Sequence, residues 1–388
     1  VIAPWNYPLV QCFTPSLLAF LAGNAVVFKP SEVTPLQGLY EEIMQEAGFM
    51  ADAIQIVYGG KDVGAQLIEQ RPNKIHFTGS SRAGKQVMAA AAPHLIPVEL
   101  ELGGKDAAIV FADVNLEKTA NGIVWSAFTN AGQSCTSIER CFVQEGIYDA
   151  FVQQVVSLAQ KLRLSTPQRN STAPDECDVG CMTAEFQLKI VEAHVQEAVE
   201  MGATVHCGGE RLPGSLHFPP TVVTGVTPEM KLGSEETFGP VLPIMKFRTE
   251  AEVIAEANRS PYGLGASVWS RDLARAERVA RALQVGNVAI NNHMLTEANP
   301  ALPFGGVKES GFGRYKGEWG LLAFSNIKSM MIGPNNQQIE SHWYPFTPTK
   351  YETFGRLMRA FFKRPRNWAG FLKAGLTFDG LGGKEKIQ

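Results

Sequence analysis

Cys135 ends a run of small residues, Gly132-Gln133-Ser134-Cys135, that leaves room for a thiol and a backbone amide to approach a substrate carbonyl. Earlier in the chain, Glu101-Leu102-Gly103-Gly104-Lys105 sets a carboxylate beside two glycines, a suitable general base if burial raises its pKa. Near the start, Asn6 in Trp5-Asn6-Tyr7-Pro8 offers a side-chain amide that could donate to a developing oxyanion. Each residue alone also has a plainer role. A lone cysteine usually acts as a small buried hydrophobe, Glu101 could be a surface charge at a strand end, and Asn6 a turn former. Cys12, Cys141, Cys177, Cys181 and Cys207 keep the plainer role, because nothing around them suggests activation.

Other chemistries find less support. The histidines, at 76, 94, 194, 206, 217, 293 and 342, show no triad-like relation to Cys135, which disfavours a papain-type Cys–His pair. The cysteines form no CxxC and have no histidine at zinc-ligand spacing, so no metal is expected, and reduced thiols in a cytoplasmic compartment are the better expectation. A net charge of −3 gives no electrostatic case for nucleic acid as a partner. No apolar run approaches the roughly 20 residues that span a bilayer.

The elements that must position these residues read as α/β. At 388 residues two domains are expected. Short β-rich runs, Ala25–Phe28, Ile54–Tyr58, Lys74–Thr78, Val98–Leu102 and Ala107–Phe111, alternate with helical patterns, which argues for a largely parallel sheet. Gln37–Ala47 reads as a helix stopped by Gly48. Gly79-Ser80 follows a strand and opens an Ala-rich helix, where a diphosphate could meet helix N-terminal amides. Ser165–Cys181, polar and with two prolines, is expected to be a long surface loop.

Seven ordered motifs resemble the aldehyde dehydrogenase superfamily: Pro4-Trp5-Asn6-Tyr7-Pro8, Lys29-Pro30-Ser31-Glu32, Phe77-Thr78-Gly79-Ser80, Glu101-Leu102-Gly103-Gly104-Lys105, Gly132-Gln133-Ser134-Cys135, Glu235-Glu236-Thr237-Phe238-Gly239-Pro240 and Pro303 to Gly311. The resemblance implies an α/β aldehyde dehydrogenase-like fold, with a Rossmann-type cofactor domain, an α/β catalytic domain and an oligomerisation strand. Carried onto this chain, the domains are 1–103 for cofactor, N-terminally incomplete; 104–312 for catalysis; 313–334 for a return segment and oligomerisation strand; and 335–388 for a tail.

The resemblance also implies roles. Cys135 attacks an aldehyde to give a thiohemiacetal whose oxyanion is held by the Asn6 amide and the Cys135 backbone N–H. Hydride loss to the nicotinamide leaves a thioester, and Glu101 activates the water that hydrolyses it to a carboxylic acid. Trp5, Lys29, Ser31, Glu32, Gly79, Ser80, Glu236 and Phe238 fall on cofactor-binding positions. Ser80 is assigned to the diphosphate, Lys29 and Glu32 to the adenosine ribose, and Glu236 to the nicotinamide ribose. A carboxylate at Glu32 repels a 2′-phosphate, favouring NAD over NADP. Arg140 is close to the nucleophile in sequence, but no cationic cluster marks an anion pocket.

Two features depart from the family pattern. The chain begins at Val1 and runs straight into the Trp-Asn motif, where relatives carry well over a hundred earlier residues, so it reads as a segment entered in mid-domain. It also continues far past the segment that resembles the family's closing strand. From Ser341 to Gln388 nine Lys/Arg face three Asp/Glu, a local +6. Phe354, Leu357, Met358, Phe361 and Phe362 fall on one helical face, and Trp368, Phe371, Leu372 and Leu376 repeat the stripe. Such a basic amphipathic helix pair either docks on its own protein or lies on an anionic membrane surface. The tail resembles those of family members that act on aliphatic or fatty aldehydes, and that resemblance implies an aliphatic or long-chain aldehyde as substrate. The resemblance implies a homo-oligomer, since the family's closing strand pairs with another subunit; peripheral membrane contact through the tail stays one of its two readings. A CoA-acylating enzyme and a non-catalytic or truncated family member are the alternatives; Glu101 argues for water as the attacking group.

Overall fold

The computed structural model describes residues 1–49, 52–165, 177–333, 339–385 and 387. It divides into two compact units, Val1–Asn326 and Ile327–Gln388.

The described residues of the first unit form a seven-stranded sheet, a second sheet of two strand sets bridged by Ile2, and a two-stranded ribbon of Tyr262–Gly263 with Val307–Lys308. Seven strands hydrogen-bond in the order Asn287–Ile290, Gly265–Trp269, Asp106–Val110, Ile138–Gln144, Val241–Phe247, Thr221–Thr224 and Thr204–Cys207. All pairings are parallel except the last, where Thr204–Cys207 runs antiparallel. Asp106–Val110 and Gly265–Trp269 are buried at every position, as expected of central parallel strands covered on both faces. One face packs Phe128, Phe151, Phe218, Val191 and Leu188; the other packs Phe111, Phe247, Val253 and Val279. Truncating one of the fully buried phenylalanines to alanine costs about 3–5 kcal/mol.

The second sheet is assembled by the first residues of the chain. Val26–Phe28 pairs in parallel with Ile54–Ile56, and Ile75–Thr78 pairs in parallel with Val98–Glu101. Ile2 bridges both pairs, facing Lys29 on one side and Phe77 on the other. Its N–H donates to His76 O at 2.9 Å, and its carbonyl accepts from Thr78 N at 3.0 Å. Gly311–Phe312 closes the far edge antiparallel to Val98–Glu101. The carboxyl ends of these parallel strands carry Lys29, Gly79 and Glu101, where open α/β sheets bind ligands.

Expected elements and observed ones agree closely. The helix predicted at Gln37–Ala47 spans Leu39–Glu46, and the Ala-rich helix spans Ser81–Ala91 with Ser80 as N-cap, its Oγ accepting from Ala83 N at 3.3 Å. Of the predicted Ser165–Cys181 loop, residues 166–176 lie outside the described residues. Leu164 and Val179 on either side form an isolated parallel bridge. The segment expected as a closing strand makes no ladder within this chain among its described residues, 324–333.

The second unit contains the two predicted tail helices, Pro348–Phe362 and Trp368–Asp379. Thr347 caps the first, with Pro348 in its opening turn, and Asn367 caps the second through Gly370 N at 2.9 Å. Phe354 meets Phe378 at 5.5 Å between ring centroids, and Phe361 meets Phe371 at 5.3 Å, forming the seam between the helices. No described helix is long and apolar enough to cross a membrane.

Candidate active site

Cys135 follows a turn with three successive left-handed residues: Asn130 at φ 54°, Ala131 at 54° and Gly132 at 68°. Only the last is a glycine, so the first two cost energy that the surroundings must offset. At Gly132 a Cβ would lie 2.1 Å from Gly239 O, so close backbone contact also excludes a side chain there. Around the turn, Gln133 Nε2 donates to Asn130 O at 2.9 Å, and Gln133 Oε1 accepts from Thr183 N at 2.8 Å. Ser137 Oγ donates to Ser126 O and Ala127 O, and His293 Nε2 meets Thr136 O at 2.8 Å. These contacts pin both flanks of Cys135, which itself stays part-exposed.

One cavity of about 220 Å³ brings Cys135 together with Asn6, Glu101, Glu236, Phe238 and Ser80; Trp5 and Gly79 line it too. Asn6 arrives on the segment ahead of helix Pro8–Leu21 and donates Nδ2 to Gln133 O at 3.1 Å. Its second amide hydrogen is left for a ligand. Glu101 ends its strand only 5 % exposed, and its Oε2 has no hydrogen-bond partner. Burial pushes its carboxyl well above the ordinary range, against the pull of the Arg314 guanidinium. Burial also raises the Cys135 thiol well above its usual value, and the carboxylates of Glu297, Asp106, Glu236 and Glu101 add to the rise.

Glu236 accepts from Gly104 N at 2.9 Å, and its carboxyl is pushed up to about 8 by burial and by Glu139. A Cβ on Gly103 would fall 2.2 Å from that carboxylate, so a side chain there would displace Glu236 from its present position. Trp5 packs edge-on against Phe238 at 5.4 Å and Phe186 at 6.2 Å. Phe238 itself sits at φ 53°.

Lys29, Ser31 and Glu32 are not among the residues lining this cavity. They cluster on the neighbouring strand end. Lys29 is buried, with Nζ donating to Gly59 O at 2.6 Å, to Pro30 O at 2.9 Å and to Glu32 Oε2 at 3.4 Å. Ser31 Oγ accepts from Val33 N. Thr34 Oγ1 reaches Trp5 O at 3.0 Å, joining the two groups.

Arg140, sequence neighbour of the nucleophile, turns away from it. Its Nε donates to Lys105 O, and its terminal nitrogens donate to Glu256 O and Ala257 O. Among the histidines, His293 touches the nucleophile's loop, but burial lowers it to about 4, and its contact is to a backbone carbonyl.

Sequence reasoning missed three groups. Lys105 and Glu139 form a buried ion pair at 2.7 Å, and Glu139 also accepts from Thr237 N and Phe238 N at 2.7 and 2.8 Å, fixing the loop that carries Glu236. Glu297 accepts from Thr136 Oγ1 at 3.1 Å and from Gln11 Nε2 at 3.4 Å. It also lines a second cavity, about 630 Å³, walled by Val10, Leu17, Leu21, Trp125 and Leu295, with Lys316 beside it. Lys316 Nζ stacks over Phe304 and Tyr315 and donates to Glu297 O. A stripe at 10, 14, 17, 18 and 21 on helix Pro8–Leu21 was the available signal for this wall, but periodicity alone reads as core.

Comparison with known proteins agrees with this geometry. The aldehyde dehydrogenase family model matches residues 1–330. The chain is 42% identical over 355 residues to the 4,4'-diapolycopene aldehyde oxidase of Methylomonas sp, covering 91% of this chain and 65% of that one. It is 40% identical over 336 residues to a betaine aldehyde dehydrogenase of Cereibacter sphaeroides, covering 86% and 68%. A Mycobacterium tuberculosis aldehyde dehydrogenase solved with NAD+ superposes with a TM-score of 0.81 at 35% identity, covering 87% and 69%. The chain spans about two thirds of the length of these curated relatives. With its fold, its ordered motifs and its relatives in agreement, the chain belongs to the aldehyde dehydrogenase family.

Proposed function

We propose that the protein oxidises an aldehyde to a carboxylic acid with NAD. The observation that carries this is the convergence of Cys135, Glu101 and Asn6 on one cavity beside Glu236. The Cys135 sulfur attacks the aldehyde carbon, and the free Asn6 amide hydrogen and the Cys135 backbone N–H hold the resulting oxyanion. Glu101, a cavity-lining residue with one oxygen unpartnered, takes a proton from the water that releases the acid. A basic carboxylate at this position favours water over a CoA thiol as the attacking group.

The donor set suits a nicotinamide dinucleotide. The N-terminal amides of helix Ser81–Ala91, with Gly79 and Ser80, would hold its diphosphate. Glu236 would hold the nicotinamide ribose, and Trp5 and Phe238 flank that end. Lys29, Ser31 and Glu32 would meet the adenosine ribose, where the half-exposed Glu32 carboxylate disfavours a 2′-phosphate. Such a cofactor supplies the hydride acceptor.

The largely apolar cavity of about 630 Å³ supports an uncharged aliphatic or long-chain aldehyde. A relative at 42% identity is named for 4,4'-diapolycopene aldehyde. We further propose a homo-oligomer, because Met330, Met331 and Ile332 are 79, 95 and 84 % exposed on a segment that makes no ladder among the described residues; a cytoplasmic location, which the free cysteines fit; and a tail that touches a membrane surface.

NADH formation with a panel of short, long, aromatic and carboxylate-bearing aldehydes tests the assignment. Rates rising with chain length are expected. No NADH from any aldehyde would remove the activity, and a strong preference for a carboxylate-bearing semialdehyde would remove the substrate class.

A further inference from the structure

The tail is an electrostatic outlier. Residues 341–388 carry +6 in a chain whose total is −3, so the other 340 residues carry −9. The structure shows how that charge is arranged. Between helices Pro348–Phe362 and Trp368–Asp379 lies a groove of about 420 Å³ lined by Arg356, Arg359, Lys363 and Lys373. Among the described residues no carboxylate pairs with any of the four. Arg356 spends one N–H on Thr353 Oγ1, a neutral hydroxyl.

The opposite side of the hairpin is apolar. At 100° per residue, Trp368, Leu372 and Leu376 share one face of their helix, and Gly370, Ala374 and Thr377 share another. The Phe371 and Phe378 seam lies between the two. On the first helix, Tyr351 and Phe362 fall on the apolar side and Arg356, Ala360 and Lys363 on the groove side. The apolar residues are open: Phe362 is 70 % exposed, Leu372 63 % and Leu376 77 %. The aromatic seam, which Trp368 joins by meeting Phe361 at 6.2 Å, keeps the helices together, so the open Leu372 and Leu376 are not needed to hold the hairpin.

We infer that the hairpin lies flat on an anionic phospholipid surface, its Tyr351–Phe362–Trp368–Leu372–Leu376 face sunk among the acyl chains and its four groove cations at headgroup level. This rests on the reading that the tail meets a membrane, and it adds the face, the depth and the lipid charge. An amphipathic helix with Trp, Phe and Leu on one side and Lys and Arg on the other buries its apolar face roughly 5–10 Å into the interface. A helix is about 10 Å across with its side chains, so the opposite face stays among the headgroups. Each cation near an anionic surface strengthens binding roughly fivefold. The unpaired state of the groove cations also fits this partner, since a carboxylate or phosphate from a lipid replaces the missing counter-charge. A surface of this kind would place the catalytic unit where long apolar aldehydes concentrate.

Co-sedimentation of the chain with phosphatidylcholine vesicles, and with vesicles that also contain phosphatidylserine, tests the inference. Binding to the serine-containing vesicles, lost at high salt, is expected. Lys363→Ala with Lys373→Ala should weaken it on the order of twentyfold. Leu372→Ser with Leu376→Ser should abolish it while far-UV helix content stays unchanged. Lys363 and Lys373 are exposed, so the charge variants report even if the apolar variant misfolds. Equal binding to both vesicle types, unaffected by salt or by either variant, would overturn this inference and leave membrane contact to another part of the chain. No sedimentation with any vesicle would remove the membrane reading itself. Light scattering that shows the Leu372→Ser, Leu376→Ser variant losing a subunit contact, with vesicle binding unchanged, would make the stripe a protein interface and overturn the inference.

Discussion

The side-chain amide of Asn6 donates to the carbonyl of Gln133, 3.1 Å away and two residues before Cys135. One hydrogen bond thus ties the proposed oxyanion donor to the loop that carries the proposed nucleophile, across 127 residues of sequence. The amide is oriented before substrate arrives, so it need not reorganise when charge develops.

Asn6→Ala removes that donor and frees the Gln133 carbonyl. Turnover should fall on the order of a hundredfold to a thousandfold with little change in KM, because the interaction is made in the transition state. Steady-state kinetics, with iodoacetamide labelling to show Cys135 still reactive, would check this. A loss confined to KM would contradict the oxyanion role.

The Lys105–Glu139 pair supports the site from beneath. Both side chains are nearly fully buried, at 1 and 4 % exposed. Glu139→Leu leaves a buried ammonium without its partner and costs about 3–5 kcal/mol. It also releases Thr237 N and Phe238 N, which should loosen the Glu236 loop. Urea unfolding read by fluorescence gives the first effect, and NAD affinity gives the second. Unchanged stability would show that Lys105 finds another acceptor.

Glu297 makes a pH prediction. A carboxylate near a thiol favours the neutral thiol, so its charge raises the pH needed to form thiolate. Besides Glu297, the groups acting on Cys135 are Asp106, Glu236 and Glu101, with Lys316 and Tyr315 adjacent. Glu297→Gln removes one negative charge and should shift the alkylation profile of Cys135 to lower pH. An unmoved profile would mean that solvent screens the pair.

Much of the site was legible in the sequence because its residues are chemically unusual where they stand. Cys135 among small residues, Glu101 before two glycines and Asn6 beside Trp5 each keep their chemistry in any frame, and all three line one cavity. The parallel strands were legible as short apolar runs, since burial on both faces leaves no polar alternation to mislead. Long-range pairing was not legible. Gln11 and Glu297 are 286 residues apart and meet through side-chain geometry alone. Arg140 is five residues from Cys135 yet faces the other way, because its strand turns it toward Glu256 and Ala257. The role of Ile2 as the rung joining two strand pairs also lies beyond local pattern, since three residues carry no periodicity.

The proposed chemistry requires an acyl group on Cys135 that water activated by Glu101 removes. Burial raises the Glu101 carboxyl, so water activation should grow as pH rises and Glu101 ionises, and Glu101→Gln should flatten that dependence. The decisive measurement is intact-mass and peptide mass spectrometry of the Glu101→Gln variant, quenched after mixing with NAD and a long aliphatic aldehyde. The account predicts one burst of NADH, no further turnover, and the acyl mass on the Cys135 peptide. Continued turnover, or an acyl mass on any other residue, would contradict it.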